Sequence, residues 1–170
     1  MNEPLAIEPL GSHHDRVAFS SGEPALDAYL RHQASQDVRR RVTQVFVAIG
    51  ESPKAIAGYY TLSATSFART ELPPELSKRL PHYPVPAATL GRLAVDRHYQ
   101  GRGLGEGLLM DAARRVLRAS AALAIYAIVV DAKNERAQGF YERYGFRAFP
   151  TTSRRLFLPL ETLARTGLSG

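Results

Sequence analysis

Four glycines alternate with other residues in the segment QGRGLGEG, at positions 101, 103, 105 and 107. The segment follows a short apolar run and precedes apolar residues at helical spacing, so it marks a strand-to-helix turn. The N–H groups at a helix N-terminus lack intrahelical partners and attract anions. Glycines let a phosphate approach the backbone, and Arg102 adds a cation. The segment therefore predicts a phosphate or pyrophosphate site.

Two common phosphate-binding motifs do not fit this segment. The chain has no G-x-x-x-x-G-K-[ST] sequence, which excludes a nucleotide-hydrolysing P-loop. A G-x-G-x-x-G pattern also fails, because its last position falls on Glu106 or Leu108, and this argues against a dinucleotide-binding fold. A flexible glycine-rich turn that binds nothing is the structural alternative.

The composition is typical of a soluble globular protein. The 170 residues are 45% hydrophobic and 22% charged, which predicts a single domain over residues 1–170. The sequence has no apolar run near the roughly 20 residues of a membrane span, and its N-terminus lacks the features of a signal peptide. Cysteine is absent, which excludes disulfides and thiolate catalysis. These features predict a cytoplasmic protein with no membrane association.

Arginine supplies most of the positive charge. The net charge is +6, and 19 of the 22 basic residues are arginine, clustered at 39–41, 92–102, 114–118 and 143–155. Guanidinium groups match phosphate geometry, so a polyanionic partner is one interpretation of these clusters. A solvated basic surface is the other.

The apolar periodicity predicts alternating strands and helices. An extended segment over 1–12 precedes a helix over 21–41, which Ser20 or Ser21 can cap. Two strands form a hairpin, a proline-rich loop with one helical turn follows, and a strand–helix–strand crossover implies parallel pairing. The remaining predicted elements are strands over 42–49 and 55–67, the loop over 70–86, a strand over 87–95, a helix over 103–119, a strand over 124–130, a helix over 134–144 ended by Gly145, and closing strands within 146–160. This order defines an α/β protein with a mixed sheet.

Three of these segments together resemble the GNAT superfamily of acetyl-CoA-dependent N-acetyltransferases. QGRGLG at 100–105 is similar to that family's Q/R-x-x-G-x-G/A element, LGRLAVD to its adjoining strand, and NERAQGFYERYGF to its last helix. The resemblance implies the GNAT fold, a mixed and mostly antiparallel sheet with a central splayed parallel strand pair flanked by helices. The strands over 87–95 and 124–130 would form the splayed pair.

The resemblance also implies where acetyl-CoA binds. The pyrophosphate would lie on the backbone from Gly101 to Glu106, and the pantetheine arm would pair with the strand before it. Asn134 would hydrogen-bond the pantetheine, although its local position equally suits a helix N-cap. The implied acetyl-CoA-binding residues are Leu93, Ala94, Val95, Gln100, Gly101, Arg102, Gly103, Leu104, Gly105, Glu106 and Asn134.

Direct attack by the amine is the simplest mechanism, because the chain has no cysteine and no Ser-His-Asp order stands out. The resemblance favours Tyr141 as the general acid for the leaving thiolate, since a phenol near pKa 10 suits that role. A packed core tyrosine is the alternative. The resemblance also suggests the Val95 N–H as the donor that stabilises the oxyanion. The general base stays open among Asp96, Glu106, His82, His98 and ordered water.

The sequence predicts no metal site. His13 and His14 are adjacent, but no further residue accompanies them at metal-ligand spacing.

A narrower resemblance covers residues 15–160. SGEPALDAYL, GYYTLSATS, PVPAATLGRLAVD and RRLFLPL are similar to the GNAT toxins of bacterial type II toxin–antitoxin pairs. That resemblance implies acetylation of the α-amine of aminoacyl-tRNA, a block of translation, a ribbon-helix-helix antitoxin as partner and a homodimer. Phosphate contacts would position the RNA without reading bases. The predicted RNA-binding residues are Arg39, Arg40, Arg41, Arg79, Arg92, Arg154 and Arg155.

Two other functions compete with this one. The first is a GNAT enzyme that acetylates a small amine, a polyamine or a protein N-terminus. The second is a CoA-binding module or DNA-binding regulator without catalysis, which Tyr141 beside an intact phosphate loop argues against. The sequence does not identify the amino acid or the tRNA.

Overall fold

The computed structural model describes residues 5–165, except for the side chain of Ser153. The strands are β1 (Ile7–Pro9), β2 (Gln44–Ile49), β3 (Ile56–Phe67), β4 (Val85–Val95), β5 (Ala127–Asp131), β6 (Arg147–Phe149) and β7 (Thr152–Pro159). The helices are α1 (Pro24–His32), α2 (Ala34–Arg39), α3 (Pro74–Ser77), α4 (Leu104–Ala119), α5 (Glu135–Arg143) and α6 (Leu160–Arg165), with 3-10 turns at Arg69–Glu71 and Arg97–Tyr99. Within the described residues, no helix has the length and apolar character needed to cross a bilayer.

The strands form one mixed sheet in the order β1-β2-β3-β4-β5-β7-β6. β4 and β5 are the parallel pair. Antiparallel pairing joins β1 to β2, β2 to β3, β5 to β7 and β6 to β7. The predicted hairpin is confirmed by the β2–β3 register, in which Phe46 lies opposite Tyr60. The predicted fold class is therefore confirmed: α/β, with a mostly antiparallel sheet around a parallel pair.

The chain divides into two compact units. Unit 1 comprises Met1–Ser63 and Leu90–Ala112, and unit 2 comprises Ala64–Thr89 and Ala113–Gly170. A single domain over residues 1–170 stays a prediction.

The core of unit 1 is built around Tyr59 of β3, whose ring is fully buried. Its hydroxyl donates to the backbone oxygen of Leu26 at 2.7 Å, and Phe19 meets its ring edge-on at 5.5 Å. Leu30, also fully buried, brings α1 into the same cluster. A buried tyrosine contributes a large apolar area but needs a partner for its hydroxyl. The Leu26 carbonyl supplies it, so this bond fixes α1 against β3.

The core of unit 2 is aromatic. Phe67 of β3 meets Phe149 of β6 edge-on at 5.3 Å, and Phe149 lies 4.9 Å from Phe157 of β7. Val129 of β5 lies opposite Phe157 in the β5–β7 register. All four side chains are buried. Together they hold the β5–β7–β6 part of the sheet against the end of β3.

The single helix predicted over 21–41 is wrong, because the structure contains two helices that meet at Gln33. The Gln33 side chain donates to one oxygen of Asp37 and the Tyr29 hydroxyl donates to the other, which holds α2 on α1 across the break. The predicted serine cap is also wrong. Asp27, in the first turn of α1, reaches back to accept from the N–H and hydroxyl of Ser21. The residue at the N-cap is Glu23, which makes no side-chain cap bond.

Other boundaries moved less. The strand predicted over 124–130 begins only at Ala127, after Tyr126 has donated its N–H to the oxygen of Pro86. The extended segment predicted over 1–12 contains the strand β1, and positions 1–4 lie outside the described residues. Gly145 ends α5 as predicted, with a φ of +96°.

Gly58 of β3 is required by close packing. A β-carbon at this position would lie 2.9 Å from the backbone oxygen of Ala94 in β4. It would also lie 3.0 Å from Leu108 and 3.4 Å from Leu104, both on α4. Backbone cannot yield as a flexible side chain can, so only glycine lets the start of α4 pack this tightly on β3.

We expect Gly58→Ala to lower the free energy of unfolding by about 1–3 kcal/mol, which is the usual cost of overpacking. Gly139→Ala is the matched control, because a β-carbon there meets nothing within 4 Å and the position is inside α5. That change should stabilise by about 0.5–1 kcal/mol. Urea denaturation of both variants measures the difference, and equal stabilities would contradict the packing argument.

Candidate active site

The turn from β4 to α4 has the backbone geometry of an anion site. Gly101 and Gly103 have φ values of +79° and +80°, and the N–H of Gly107 donates to the oxygen of Gly103 at 3.1 Å. Gly103 is therefore the last residue before the helix, and the N–H groups of the first turn have no intrahelical partners. Successive N–H groups in such a turn form a concave nest for anions.

The space above this turn is open to a ligand. A β-carbon at Gly101 or Gly103 would meet no atom within 4 Å, so only the left-handed backbone demands glycine there. The Arg102 side chain is exposed, and its guanidinium carbon lies 5.4 Å from the centroid of the Tyr99 ring. Free N–H groups, an open approach and a nearby cation fit the pyrophosphate of acetyl-CoA.

The Gln100 side chain fixes the loop to its surroundings. Its amide nitrogen donates to the backbone oxygens of Ser21 and Val95, each at 2.9 Å. Both amide protons are therefore used within the protein. The side chain of this predicted acetyl-CoA-binding residue positions the loop, while the glycine turn beside it offers the free N–H groups.

Asp96 ties the end of β4 to two other backbone segments. Its carboxylate accepts from the N–H of Ser20 at 2.9 Å and from the N–H of His98 at 2.9 Å. The His98 ring nitrogen lies 3.0 Å away. Burial alone would raise the pKa of this carboxyl, but the bonds from Ser20 and His98 outweigh it and hold the pKa below the ordinary value of 3.8. Asp96 is thus an anchored carboxylate rather than a free base.

The remaining base candidates are exposed or engaged. His98 bonds to Asp96 through Nδ1, and His82 lies 2.8 Å from a guanidinium nitrogen of Arg69. Glu106 is exposed in the first turn of α4. The geometry favours none of them as the general base.

Strand geometry directs the polar backbone groups of Val95 away from β3. The N–H of Asp96 donates to the oxygen of Ala57 on β3 at 2.8 Å. Consecutive residues of a strand point their N–H and C=O groups to alternate sides. The N–H of Val95 and the backbone groups of Leu93 therefore face the opposite side of β4 from β3. This orientation suits the predicted pairing of Leu93 and Val95 with a pantetheine arm.

Tyr141 lies on α5 in unit 2 and is buried. Phe140 and Phe146 meet its ring at 5.2 Å and 5.4 Å, both near edge-on. Burial raises the pKa of Tyr141 to about 12, so the hydroxyl is protonated at neutral pH and can donate. Asn134 caps the same helix, because its side chain accepts from the N–H of Ala137 at 2.9 Å. The cap role weighed for Asn134 is therefore present in the structure.

Four of the predicted RNA-binding arginines belong to unit 1, namely Arg39, Arg40, Arg41 and Arg92. The first three are exposed at the end of α2. The guanidinium carbon of Arg92 lies 3.4 Å from the centroid of the Tyr29 ring. Burial and a hydrogen bond to Asp37 raise the pKa of Tyr29 to about 12, so the ring stays neutral beneath the cation. Arg92 is held in one orientation by this stack.

The other three, Arg79, Arg154 and Arg155, belong to unit 2. Arg79 and Arg154 are exposed, and Arg154 donates to the oxygen of Lys133 at 3.3 Å. Arg155 pairs with Glu71 at 3.0 Å and lies over the ring of Phe149. An arginine engaged with a carboxylate and an aromatic ring is a structural contact, so Arg155 is the least suited of the seven to bind phosphate.

The sequence analysis named His13 and His14 but missed a third residue that the structure brings to them, Glu8. Glu8, His13 and His14 bring potential ligand atoms within 4.8 Å of one another. The N–H of Gly11 donates to Nδ1 of His14, so Nε2 carries the proton and donates to Glu8 at 2.7 Å. Neither ring nitrogen of His14 then has a lone pair to offer a metal, and the bond to His14 lowers the pKa of Glu8. Absence of a metal stays a prediction.

Comparison with known proteins identifies the family. The model of the acetyltransferase (GNAT) family matches residues 12–146. A tRNA-acetylating toxin of Mycobacterium tuberculosis is 39% identical over 144 residues, which are 85% of this chain and 85% of that protein. A probable toxin TacT of Sinorhizobium fredii is 29% identical over 166 residues, with 92% of each covered. The chain therefore belongs to the GNAT family and is an acetyltransferase.

Solved structures agree with this assignment. A KacT variant with a tyrosine-to-phenylalanine substitution has a TM-score of 0.91 at 34% identity, with 96% of this chain and 99% of that chain covered. AtaT in complex with acetyl-methionyl-tRNAfMet has a TM-score of 0.89 at 32% identity, with 95% and 98% covered. AtaTR bound to acetyl-CoA has a TM-score of 0.84 at 33% identity, with 96% and 98% covered. An AtaT variant in which phenylalanine also replaces a tyrosine is bound to the C-terminus of the antitoxin AtaR.

Replacing glycine by alanine should have opposite effects on stability at positions 103 and 107. Gly103→Ala should destabilise the protein by about 1–2 kcal/mol, because an L-residue is strained at a left-handed φ. It should also weaken CoA binding, measured by calorimetry, because the nest loses its shape. Gly107→Ala is the control, because this residue lies inside α4. The change should raise the free energy of unfolding by about 0.5–1 kcal/mol. An unchanged dissociation constant for Gly103→Ala would contradict the proposed role of the turn.

The hydrogen bonds of Asp96 predict a pH-dependent effect. Asp96→Asn should lower the free energy of unfolding by about 1.5–3 kcal/mol near pH 7, because bonds to a charged acceptor are lost. A carboxyl with a lowered folded-state pKa stabilises above its unfolded pKa, and that stability disappears as the pH falls through the lowered value. The gap between wild type and variant should therefore narrow below about pH 4 in urea titrations. A gap that stays constant there would rule out the charge as its cause.

Proposed function

We propose that the chain transfers the acetyl group of acetyl-CoA to the α-amine of aminoacyl-tRNA and thereby blocks translation. The observation that carries this proposal is the likeness over 85% of the chain to a tRNA-acetylating toxin, combined with the open glycine turn. An N-acetylated aminoacyl-tRNA has lost the nucleophile needed for peptide transfer. The site residues predicted from the sequence take their roles within this reaction.

The acetyl donor binds along β4 and the turn that follows. The nest from Gly101 to Glu106 receives the pyrophosphate, with Arg102 as a flanking cation. The pantetheine arm pairs with the backbone groups of β4 that face away from β3. The AtaTR structure with acetyl-CoA supports this choice of donor.

The RNA is held through its phosphates. Arg39, Arg40 and Arg41 present exposed cations at the end of α2, and the stacked Arg92 adds a cation of fixed orientation. Contacts of this kind position an acceptor stem without reading its bases. The complex of AtaT with acetyl-methionyl-tRNAfMet supports an RNA of this class.

The amine attacks the thioester carbonyl directly. The C–N bond forms first and gives a tetrahedral oxyanion, and the amine proton passes to water. The C–S bond then breaks as the leaving sulfur receives a proton from the Tyr141 hydroxyl, which water afterwards reprotonates. The N–H of Val95 stabilises the oxyanion. The ester of an aminoacyl-tRNA lowers the pKa of its α-amine, so enough neutral amine exists without a dedicated base.

A partner and a location complete the proposal. The chain is neutralised by a ribbon-helix-helix antitoxin, acts as a homodimer and works in the cytoplasm. The AtaT structures with AtaR support a protein antitoxin.

The test follows label from radioactive acetyl-CoA into charged and uncharged tRNA. We expect label in charged tRNA only, and a fall of about 10²–10⁴ in rate for Tyr141→Phe, the range that general acid catalysis contributes. Tyr144→Phe is the matched control, because this half-buried ring lies at the end of the same helix. Its rate should stay near that of wild type.

Each alternative result has a distinct meaning. Equal rates for wild type and Tyr141→Phe would keep the substrate and remove Tyr141 as the acid. Acetylation of small amines or peptides with no label in tRNA would replace the proposed function with that of an ordinary acetyltransferase.

A further inference from the structure

Unit 2 contains a cavity that the proposed reaction has not used. The cavity measures about 490 Å³ and is lined by the end of β3, the turn at Arg69–Glu71 and the loop over 82–84. Its volume falls within the roughly 300–1,000 Å³ of sites that bind small organic ligands. The polar and aromatic groups at its wall are Arg69, Glu71, His82 and Tyr83.

Arg69 is a positioned cation without a counter-charge. Its guanidinium donates to the backbone oxygen of Ser77 at 2.8 Å and to Nδ1 of His82 at 2.8 Å. Arginine can only donate, so this ring nitrogen of His82 is an acceptor. Both partners are neutral acceptors, and across residues 5–165 no carboxylate lies within ion-pair distance of Arg69. Arg69 therefore brings a positive charge that no carboxylate partner neutralises to the wall of the cavity.

The acid beside Arg69 does not cancel this charge. Glu71 pairs with Arg155 at 3.0 Å, and its second oxygen accepts from the N–H of Ala68 at 2.8 Å. Its charge is thus matched by a different arginine. The pair also braces the turn that carries Arg69, because Arg155 lies on β7.

Tyr83 gives the cavity an exposed aromatic face. The residue is 68% exposed, although a tyrosine usually buries most of its ring. An exposed ring next to a positioned arginine is the pairing that proteins use to bind unpaired nucleotides, with a base on the ring and a phosphate at the cation.

We infer that this cavity binds the unpaired 3′-terminal nucleotides of the acceptor RNA, with a base stacked on Tyr83 and a phosphate at Arg69. The inference rests on the proposed function for the identity of the RNA. Stacking accepts any base, so the cavity would select a single-stranded end and not a sequence. It adds a second kind of recognition to the phosphate contacts of the exposed arginines.

The test compares two RNA hairpins, one with a short unpaired 3′ end and one with a blunt end. We expect Tyr83→Ala to weaken binding of the first about tenfold or more, and binding of the second unchanged. Tyr83→Phe keeps the ring and should bind as wild type. Arg69→Gln should reduce the slope of log affinity against log salt by about 0.7, which corresponds to one phosphate contact on a single strand.

Leu123→Ala is the control for loss of exposed apolar surface, because Leu123 is 65% exposed and lies outside the cavity. Wild-type affinity of both Tyr83→Ala and Arg69→Gln for the unpaired end would overturn the inference. Equal losses in Tyr83→Phe and Tyr83→Ala would overturn stacking, since the hydroxyl alone would then matter. An acidic peptide is tested for binding in parallel. If Tyr83→Ala and Arg69→Gln lose binding of this peptide and keep binding of the RNA, the cavity belongs to a protein partner and the inference is overturned.

The two proposals fail separately. Acetylation of charged tRNA at wild-type rates by Tyr83→Ala, with unchanged RNA binding, would remove the cavity's role and keep the proposed function. If the wild-type protein acetylates no tRNA but binds the unpaired end in a manner that depends on Tyr83, the inference about the cavity stands and the proposed function is wrong.

Discussion

The exposed N–H groups after β4 are useful only if the backbone is held in one shape, and a buried carboxylate does most of the holding. Asp96 accepts from Ser20 and His98, while Gln100 reaches back to Ser21 and Val95. These bonds join the segment before α1 to the end of β4. A nest for an anion repels its own N–H dipoles when empty, so such a turn needs support from neighbours. Here the support comes from side chains that never touch the ligand, and Gly58 lets α4 begin close enough to complete it.

Neighbouring groups also hold some of the arginine side chains in one orientation. An exposed arginine loses side-chain conformational entropy when it binds a phosphate. A stacked arginine is already ordered, so it loses less. Arg92 on Tyr29 and Arg69 between Ser77 and His82 are both held by neutral groups. Arg155 is held by the carboxylate of Glu71 instead, which neutralises its charge within the protein. On the proposed function, the arginines with neutral partners keep a charge for a phosphate, whereas the charge of Arg155 is neutralised by Glu71.

The sequence was informative where chemistry is local. Alternating glycines before an apolar stripe predicted the turn, and the order of strands and helices predicted the mixed sheet. Contacts distant along the chain were beyond it. Arg155 meets Glu71 across 84 positions. At the break between α1 and α2, Tyr29 donates to Asp37 in a side-chain bond that helical periodicity does not reveal. His13 and His14 looked isolated because their partner, Glu8, is brought near by a turn. No periodicity encodes such pairings, and Arg69 and Tyr83 went unnoticed for that reason.

Proton chemistry favours a particular class of amine. The pKa values of Tyr141 and Asp96 are shifted in opposite directions. Burial raises the pKa of Tyr141 and keeps it protonated, whereas hydrogen bonds lower the pKa of Asp96 and keep it ionised. Tyr141 is a protonated phenol, and the oxygens of the Asp96 carboxylate already accept hydrogen bonds from Ser20 and His98. One ring nitrogen of His82 and one of His98 are also bonded to a neighbour. An enzyme that relies on donors must receive its amine neutral. A lysine side chain has a pKa near 10.4 and is almost fully charged at neutral pH, whereas an α-amine titrates near 8 and an ester lowers it further. On the proposed function, this proton chemistry favours aminoacyl esters over lysine amines as acceptors.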